Sequence, residues 1–250
     1  MSKAMSEANG KVAVITGSSR GIGAAIAERL AGDGFTVVIN YAGGAAEAEA
    51  LAGKIEQAGG RAITAQADVS NGAAVSRMFD MADAAFGGVD VLVNNAGIMR
   101  LASLADSDDA LFDSQVAINL KGTFNTLREA SRRLRNGGRI INLSSSQADM
   151  LYPTYGVYAA TKAAVEAMTL VLARELRGRN ITVNAVAPGP IATKLFLDGK
   201  PKEAIDRLKN LAPLERLGEP SDVAAVVSFL AGSDGGWING QVLRPNGGII

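Results

Sequence analysis

The sequence contains neither histidine nor cysteine, and this double absence excludes several kinds of site at once. A Ser-His-Asp triad, a Cys-His nucleophile, a Cys/His zinc site and a disulfide framework all need residues that the chain does not have. Proton transfer near neutral pH must therefore use a carboxylate, lysine, tyrosine, a cofactor or water. We predict no metal site.

Net charge is also absent, because 25 Lys and Arg balance 25 Asp and Glu among 250 residues. A nucleic acid or an anionic membrane surface needs a basic surplus, so we expect neither as a partner. No uninterrupted apolar run is long enough to span a bilayer. Residues 1–10 lack the apolar core of a signal peptide, and we expect them to form a flexible tail. A cysteine-free chain without such a signal is expected in the cytoplasm.

Short apolar runs alternate with helical patterns along the rest of the chain. Val12–Ile15 is a continuous apolar run, and Val89–Val93 is apolar except for Asp90. Such runs are typical of strands buried on both faces of a parallel sheet. Ala45–Ala58 and Tyr155–Leu176 have the pattern of the intervening helices. The alternation predicts the α/β class, with a single doubly wound parallel sheet (Rossmann-like) and helices on both faces, in one domain over residues 11–250.

Residues 188–220 break this alternation. The segment carries five of the seven prolines and has one short helical pattern, near Lys202–Leu211. It follows the carboxyl end of a predicted strand, on the side where open α/β sheets bind ligands. We therefore predict a lid-like insert.

The first predicted strand leads directly into a glycine-rich loop, Thr16-Gly-Ser-Ser-Arg-Gly-Ile-Gly23, which is followed by a helix. Glycines let backbone N–H groups approach a phosphate without a Cβ clash, and the helix N-terminus adds a favourable dipole. The alternative is a turn whose glycines only let the helix pack on the strand. The strand before the loop and the helix after it favour a dinucleotide site.

The end of the second predicted strand lacks the acidic residue that usually binds a free ribose 2′-hydroxyl. Asn40, Tyr41 and Ala42 stand there, and Arg20 lies in the glycine loop. An uncharged strand end with a nearby arginine suits a 2′-phosphate, so we predict NADP(H) rather than NAD(H). The alternative for Arg20 is a surface salt bridge.

Tyrosine is the suitable proton donor to a carbonyl in a chain without histidine, but its pKa of about 10 is too high unless a cation lowers it. Among the four tyrosines, only Tyr158 is followed by a cation one helical turn later, at Lys162. An ammonium group about 4–5 Å from the phenolate would lower the pKa of Tyr158 by about 2–3 units, toward 7. The alternative is an ordinary amphipathic helix, which the dinucleotide loop in the same chain disfavours.

Three consecutive serines end a further predicted strand. In an extended strand end, Ser144 and Ser146 point to one side and Ser145 to the other. The residues alone do not decide which of these sides faces the site.

The ordered set of motifs resembles the short-chain dehydrogenase/reductase family, from Lys11 to the C-terminus. Besides the glycine loop and the Tyr158/Lys162 pair, the matching residues are Asp68-Val69, Asn94-Asn95-Ala96-Gly97, Asn119, Ser145, and Pro188-Gly189 with Thr193. Together with the residues discussed above, the resemblance implies the following cofactor-binding set: Gly17, Ser19, Arg20, Gly21, Ile22, Gly23, Asn40, Tyr41, Ala42, Asp68, Val69, Asn95, Ala96, Gly97, Tyr158, Lys162, Pro188, Gly189, Ile191 and Thr193.

The resemblance also implies four catalytic residues. Ser145, thirteen residues before Tyr158, is selected over Ser144 to hydrogen-bond the substrate carbonyl. Tyr158 would donate the proton, and Lys162 would lower the pKa of Tyr158 and hold the ribose. Asn119 would hold a water that links Lys162 to solvent, and the alternative for Asn119 is a capping or surface residue.

The expected substrate is a small-molecule carbonyl or alcohol. The resemblance is to the 3-oxoacyl-acyl-carrier-protein reductase-like branch, partly through the ending Pro245-Asn-Gly-Gly248, so a 3-oxoacyl thioester on an acyl carrier protein is one candidate. Docking of that carrier would use surface cations, for which the candidates are Arg132, Arg133, Arg135 and Arg179. Arginines clustered at a helix end more often only compensate the helix dipole and stay solvated.

Three other functions stay open. The same machinery could serve a reductase or dehydrogenase of small ketones, sugars, polyols or aromatic alcohols. The fold could also belong to a non-catalytic NADP-sensing regulatory protein, or to a nucleotide-dependent transferase, which would leave Tyr158 and Lys162 without a role. The resemblance further implies a homo-oligomer, a dimer or tetramer, paired through helices at about 108–134 and 155–176.

Overall fold

A single seven-stranded parallel sheet organises the protein. The structure is a computed structural model that describes residues 10–198 and 201–250, so the tail expected at residues 1–10 lies outside the described residues except for Gly10. The strands are β1 (Val12–Ile15), β2 (Thr36–Tyr41), β3 (Arg61–Gln66), β4 (Val91–Asn94), β5 (Arg139–Leu143), β6 (Thr182–Val186) and β7 (Val242–Leu243). Their spatial order is β3-β2-β1-β4-β5-β6-β7, which confirms the predicted doubly wound sheet.

Helices connect the strands at nearly every step. They are α1 (Gly21–Gly32), α2 (Ala45–Gln57), α3 (Gly72–Phe86), α4 (Asp109–Gln115), α5 (Thr123–Arg133), α6 (Gln147–Met150), α7 (Gly156–Glu175), α8 (Lys194–Leu197), α9 (Lys202–Leu211) and α10 (Pro220–Ala231). The short helices α6 and α8 are the two described helices that the sequence pattern did not predict.

The strand order reverses at β1. This strand pairs with β2 on one side and with β4 on the other, through registers that include Val14 with Val38 and Ala13 with Val91. Open α/β sheets bind ligands at such a reversal, in the crevice outside the carboxyl ends of the strands. The glycine loop follows β1 at that edge.

Apolar side chains fill both faces of the sheet. Consecutive residues of β1 divide between the two faces, because successive side chains of a strand alternate. Ile15 packs with Ile26 and Leu30 of α1 on one face, and Val14 packs in the opposite cluster with Phe79 of α3. The continuous apolar runs in the sequence therefore reflect burial on both faces.

The long helix predicted over about residues 108–134 contains a wider turn. Val116–Gly122 is π-helical and lies between α4 and α5. Such turns hold one residue more than an α-helical turn and occur often at functional sites. Asn119 lies in this segment and is fully buried.

A chain of buried hydrogen bonds joins α5 to α7 through the sheet. Thr126 donates to Asn94 at 2.6 Å, Asn94 donates to Asn142 at 2.8 Å, and Asn142 donates to Thr169 at 2.8 Å. Every polar group in this chain has a partner in the low-dielectric interior, where an unpaired one would be costly. The chain fixes the two central helices relative to the strand ends between them.

Helix α7 is the one described helix whose length and composition would allow it to cross a membrane. In this fold it is a core helix, because its Leu172 packs in the cluster beneath the sheet and Val165 and Thr169 are buried. Charged Lys162 and Glu166 lie within it, so its sequence is not an uninterrupted apolar run.

The insert at 188–220 contains α8 and α9. An isolated bridge between Ile191 and Gly218 holds the two ends of the insert together. Residues 199 and 200 lie outside the described residues. Closure of this insert over a ligand stays a prediction.

Candidate active site

The glycine loop packs closely against the segment that follows β4. A Cβ atom at Gly23 would lie 2.5 Å from Asn95 Nδ2, and one at Gly17 would lie 2.9 Å from the Cα atom of Ala96. Asn95 Nδ2 donates to the carbonyl oxygens of Thr16 and Gly17, at 2.9 Å each. Glycine is therefore required at positions 17 and 23 by the packing between two strand ends.

The opposite side of the loop is open. A Cβ atom at Gly21 would have Thr193 Cγ2 as its nearest neighbour, at 3.8 Å, and Gly21 adopts a positive φ of 60°. Ser18 is turned inward, where its hydroxyl donates to the Ile15 carbonyl oxygen, whereas Ser19 and Ile22 are half-exposed. The first backbone N–H groups of α1 thus adjoin an unfilled cradle, which fits a dinucleotide phosphate.

Asn40 supports the loop from the end of β2. Its Oδ1 accepts a hydrogen bond from the Gly17 N–H at 3.0 Å, and its Nδ2 donates to the carbonyl oxygens of Ala65 and Ala67. The side chain is buried and both of its polar ends are used, so Asn40 shapes the cofactor cradle from beneath. The neighbouring residues Tyr41 and Ala42 are half-exposed and exposed.

Arg20 is exposed beside this cradle. Its guanidinium group forms no ion pair or side-chain hydrogen bond with residues 10–198 or 201–250, so the surface salt bridge considered for it is not formed there. A free cation at the helix N-terminus is suitably placed for an anionic group.

The Asp68-Val69 motif is held by local contacts. Asp68 is exposed, and its Oδ1 accepts hydrogen bonds from the backbone N–H and the hydroxyl of Ser70. Val69 is buried against Gly122 of the π-helical segment, and its carbonyl oxygen accepts from Asn125 at 2.8 Å. The motif thereby connects the β3 end to the helix that carries Asn119.

Tyr158 and Lys162 lie in the first turns of α7, beside the end of β5. Tyr158 is hydrogen-bonded with Ser145, and the Lys162 ammonium group donates to the Leu143 carbonyl oxygen at 2.8 Å. Ser144 instead donates to Glu166 at 2.6 Å. Of the first two serines, the structure therefore brings Ser145 to the phenol.

The expected acidic tyrosine is not what this structure shows. Burial raises the pKa of Tyr158 to about 12, and the opposing effect of the Ser145 hydrogen bond is smaller. Burial also lowers the pKa of Lys162 to about 8. The prediction of a Tyr158 pKa near 7 was wrong because it counted the attraction of Lys162 and left out the desolvation of the phenolate.

Asn119 is tied to the loop after β4. Its Oδ1 accepts from the Ile98 N–H at 2.8 Å, and its Nδ2 donates to the Ile98 carbonyl oxygen and to Thr161. A Cβ atom at Gly97 would lie 3.3 Å from Asn119 Oδ1 and 3.6 Å from Lys162 Nζ. Asn119 is therefore neither a capping nor a surface residue. Because Gly97 has no side chain, the space beside Asn119 Oδ1 and Lys162 Nζ is left open.

The Pro188-Gly189 turn lies next to the serines and leads to the insert. The Pro188 carbonyl oxygen accepts from the Ser146 N–H at 3.0 Å. Ile191 is buried, and Thr193 caps α8 with its hydroxyl. The Thr193 methyl group would be the nearest neighbour of a Cβ atom at Gly21. The structure thus brings the insert to the glycine loop.

Two residues near the site escaped the sequence analysis. Glu166 contacts Ser144, and it follows Lys162 by four residues, so the spacing used to pair Tyr158 with Lys162 could have found it. Gln115, four residues before Asn119, accepts from the Arg100 N–H at 3.1 Å and supports the same loop.

Most of the cations considered for carrier docking are bound within the protein. Arg133 pairs with Asp80 and Asp83, Arg135 pairs with Asp90, and Arg179 donates to the carbonyl oxygens of Ser131 and Leu134. Arg132 is exposed. These partners supply structural roles for three of the four arginines.

Comparison with known proteins identifies the family. A family model described as enoyl-(acyl carrier protein) reductase matches residues 17–249. The chain is 48% identical over 255 residues to an NADPH-dependent aldehyde reductase-like protein, chloroplastic, of Arabidopsis thaliana, covering 96% of this chain and 94% of that protein. The structure of a short-chain dehydrogenase from Burkholderia cenocepacia in complex with NADP is 42% identical, with a TM-score of 0.92 and coverage of 97% and 99%. A short-chain dehydrogenase/reductase from Serratia marcescens is 39% identical, with a TM-score of 0.93 and the same coverage. The chain therefore belongs to the short-chain dehydrogenase/reductase family of oxidoreductases.

Proposed function

We propose that the protein is an NADP(H)-dependent oxidoreductase that interconverts a carbonyl compound and the corresponding alcohol. The observation that carries the proposal is the meeting of Tyr158, Ser145 and Lys162 beside the end of β5, at the sheet edge that also holds the glycine loop. When bound, NADP(H) supplies or accepts the hydride. A transferase or a purely structural protein would leave this group of side chains unused.

The residues around the loop fit the cofactor. Gly21 and Ser19 would face the phosphates, and Arg20 would bind the 2′-phosphate as a bare cation. The lack of an acidic residue at the β2 end favours NADP(H). The Burkholderia cenocepacia neighbour with NADP and the NADPH-dependent Arabidopsis thaliana relative support the same choice.

The side chains divide the chemistry among them. Tyr158 is neutral at pH 7, because its pKa is raised to about 12, and it is therefore in the form that donates a proton to the substrate oxygen. Ser145 would donate a second hydrogen bond to the same oxygen as charge develops on it. Lys162 would hold the ribose, and Asn119 would hold a water in the space beside Gly97.

An aldehyde or ketone is the favoured substrate. The Arabidopsis thaliana relative is named an aldehyde reductase. Docking of an acyl carrier protein has less support, because Arg133, Arg135 and Arg179 already have partners within the chain. We keep the 3-oxoacyl thioester among the substrates to be tested, because the matching family model is described as an enoyl-(acyl carrier protein) reductase.

The test is a panel of carbonyl compounds with NADPH and NADH, followed at the nicotinamide absorbance. We expect oxidation of NADPH with small aldehydes or ketones, and a rate lower by about 10²–10⁴-fold in Tyr158→Phe. A free thioester analogue, an enoyl thioester and an acyl-carrier substrate at two salt concentrations separate the acyl candidates, since docking to a carrier is salt-sensitive. NADPH binding without turnover of any compound would contradict the proposal and favour the sensing alternative.

Assembly and location are part of the proposal. Phe112 and Phe124 on the α4–α5 stretch and Val171 on α7 are exposed, and a second copy of the chain would cover them in a homo-oligomer. Ile250 at the C-terminus is also exposed. Sedimentation at low protein concentration tests this. The cytoplasmic location stays a prediction.

A further inference from the structure

Glu166 is a half-buried carboxylate beside the site, and the proposed chemistry gives it no role. Its Oε1 accepts a hydrogen bond from the Ser144 hydroxyl at 2.6 Å. Ser144 is buried, and the same hydroxyl lies 3.4 Å from the Lys162 carbonyl oxygen. The carboxylate therefore binds the residue that directly precedes Ser145.

The contact is one of three between a single face of α7 and the end of β5. Residues four apart on a helix lie one above the other, so positions 158, 162 and 166 form one stripe. The contacts are Tyr158 with Ser145, Lys162 with Leu143, and Glu166 with Ser144. Two of them belong to the proposed catalytic group, and the third sets the register of the same helix on the same strand end.

Ser144 is fixed through its backbone as well as its side chain. Its N–H donates to the Val186 carbonyl oxygen of β6 at 2.7 Å. Ser144 and Ser145 are adjacent in the chain, so fixing the backbone and the side chain of Ser144 limits where Ser145 can lie. Besides its contact with Tyr158, Ser145 Oγ accepts a hydrogen bond from the Gln147 N–H at 3.2 Å.

Two further charged groups face Glu166. Asp149 of α6 and Arg244, which follows β7, form an ion pair with 2.8 Å between Oδ2 and Nε. Burial raises the pKa of Glu166; the Ser144 hydrogen bond and Arg244 lower it, and Asp149 raises it. Protonation would weaken the contact with Ser144, because hydrogen bonds to a charged acceptor are the stronger ones.

We propose that Glu166 is a positioning residue which, through Ser144, holds Ser145 in line with Tyr158. The hydroxyl groups of Ser145 and Tyr158 then contact the same substrate oxygen. The inference rests on the proposed carbonyl chemistry and adds to it a residue that touches neither substrate nor cofactor.

Three variants and one control test this. Glu166→Ala and Ser144→Ala each remove one side of the contact, and we expect kcat to fall about 10- to 100-fold, as a misplacement of about 1 Å does. The Kd for NADPH should not change. Glu166→Gln keeps an acceptor of the same shape, so it should retain most of the wild-type kcat at neutral pH. In the wild type, protonation of Glu166 should lower kcat at acidic pH, and this decrease should be absent in Glu166→Gln. Glu175→Gln, exposed on the same helix, is the matched control and should match the wild type.

The double variant Ser144→Ala/Glu166→Ala separates positioning from general damage. It should lose no more kcat than either single variant, because both remove the same contact. Additive losses, wild-type kcat in Glu166→Ala, or a loss that follows weaker NADPH binding would overturn the proposal. A wild-type enzyme that turns over no carbonyl compound rejects the proposed function itself, and this inference with it.

Discussion

The Lys162 ammonium group lies over the ring of Tyr158, 5.8 Å from its centre, and donates its hydrogen bond to the Leu143 carbonyl oxygen. The two residues are one helical turn apart, yet the cation does not bind the phenol oxygen directly. The buried phenol therefore keeps its proton over the physiological pH range, and its pKa is about 12. Within the protein, the hydrogen bond of the Lys162 ammonium group ties α7 to the end of β5 at Leu143.

Replacement of the phenol tests the proton donor. Tyr158→Phe removes the hydroxyl and keeps the ring, so kcat should fall by about 10²–10⁴-fold, the usual contribution of a positioned proton donor. The Kd for NADPH, measured by fluorescence, should stay near the wild-type value. Tyr155→Phe is the matched control, because Tyr155 packs edge-on against Tyr158 with 6.3 Å between ring centres. Near-normal turnover of Tyr158→Phe would end this assignment.

The buried lysine predicts a pH-dependent stability. Burial lowers the pKa of Lys162 from 10.5 to about 8, so the unfolded chain binds more protons than the folded protein between these values. Stability from this group therefore rises with pH in that window. Lys162→Met removes the effect, and its free energy of unfolding relative to the wild type should drop by about 2 kcal/mol between pH 7 and pH 9.5.

Denaturant unfolding at the two pH values measures this difference. Exposed Lys54, which pairs with Glu28 at the surface, gives the control variant Lys54→Met. If the free energy of unfolding of Lys162→Met relative to the wild type does not change with pH, Lys162 is not buried as described.

The space beside Gly97 predicts the effect of one methyl group. Gly97→Ala places a Cβ atom 3.3 Å from Asn119 Oδ1 and 3.6 Å from Lys162 Nζ, in space that a relay water beside these groups would need. We expect kcat to fall about tenfold or more because proton resupply becomes limiting, with a larger solvent isotope effect. Gly53→Ala is the control: its Cβ atom meets nothing within 4 Å in α2, so it should stabilise the protein by about 0.5–1 kcal/mol and leave kcat unchanged. Unchanged kcat in Gly97→Ala would argue against the relay.

We expect the choice of cofactor to depend on Arg20. Loss of a charge-assisted contact to the 2′-phosphate costs about 1.5–3 kcal/mol, so Arg20→Ala should lower the ratio of kcat/KM for NADPH over NADH by about 10- to 100-fold. Arg29→Ala, at the other end of α1 in a surface pair with Asp33, should leave the ratio unchanged. A preference for NADH in the wild type would contradict the assignment at once.

Burial patterns explain why most of the fold was predictable from the sequence. Strands such as β1 are continuous apolar runs because both faces of the sheet are covered, and that pattern is visible in one dimension. The π-helical turn at Val116–Gly122 was not visible, since it depends on how Asn119 meets Ile98 across the site. The short helix α6 likewise depends on the turn that the strand makes at Ser146.

Spacing grouped the proposed site residues better than it described their environment. The four-residue spacing placed Tyr158 and Lys162 on one face of α7, but the four-carbon side chain of Lys162 reaches Leu143. Asn40 likewise lies at the strand end predicted to face the cofactor, but its side chain points inward and accepts a hydrogen bond from the Gly17 N–H. Position along an element follows from periodicity, whereas the direction of a side chain and its loss of solvent follow from the neighbouring elements.

The wide turn at Val116–Gly122 makes the count of residues in this helix matter as much as their identity. Deletion of a single residue there would let an ordinary α-helix close, with better internal hydrogen bonding. The shorter helix would rotate Asn119 by about 100° relative to the residues on the far side of the deletion, away from Ile98. A more regular and locally stabler helix would thus be a poorer scaffold, and engineers who trim this segment should expect a folded protein with a misdirected amide.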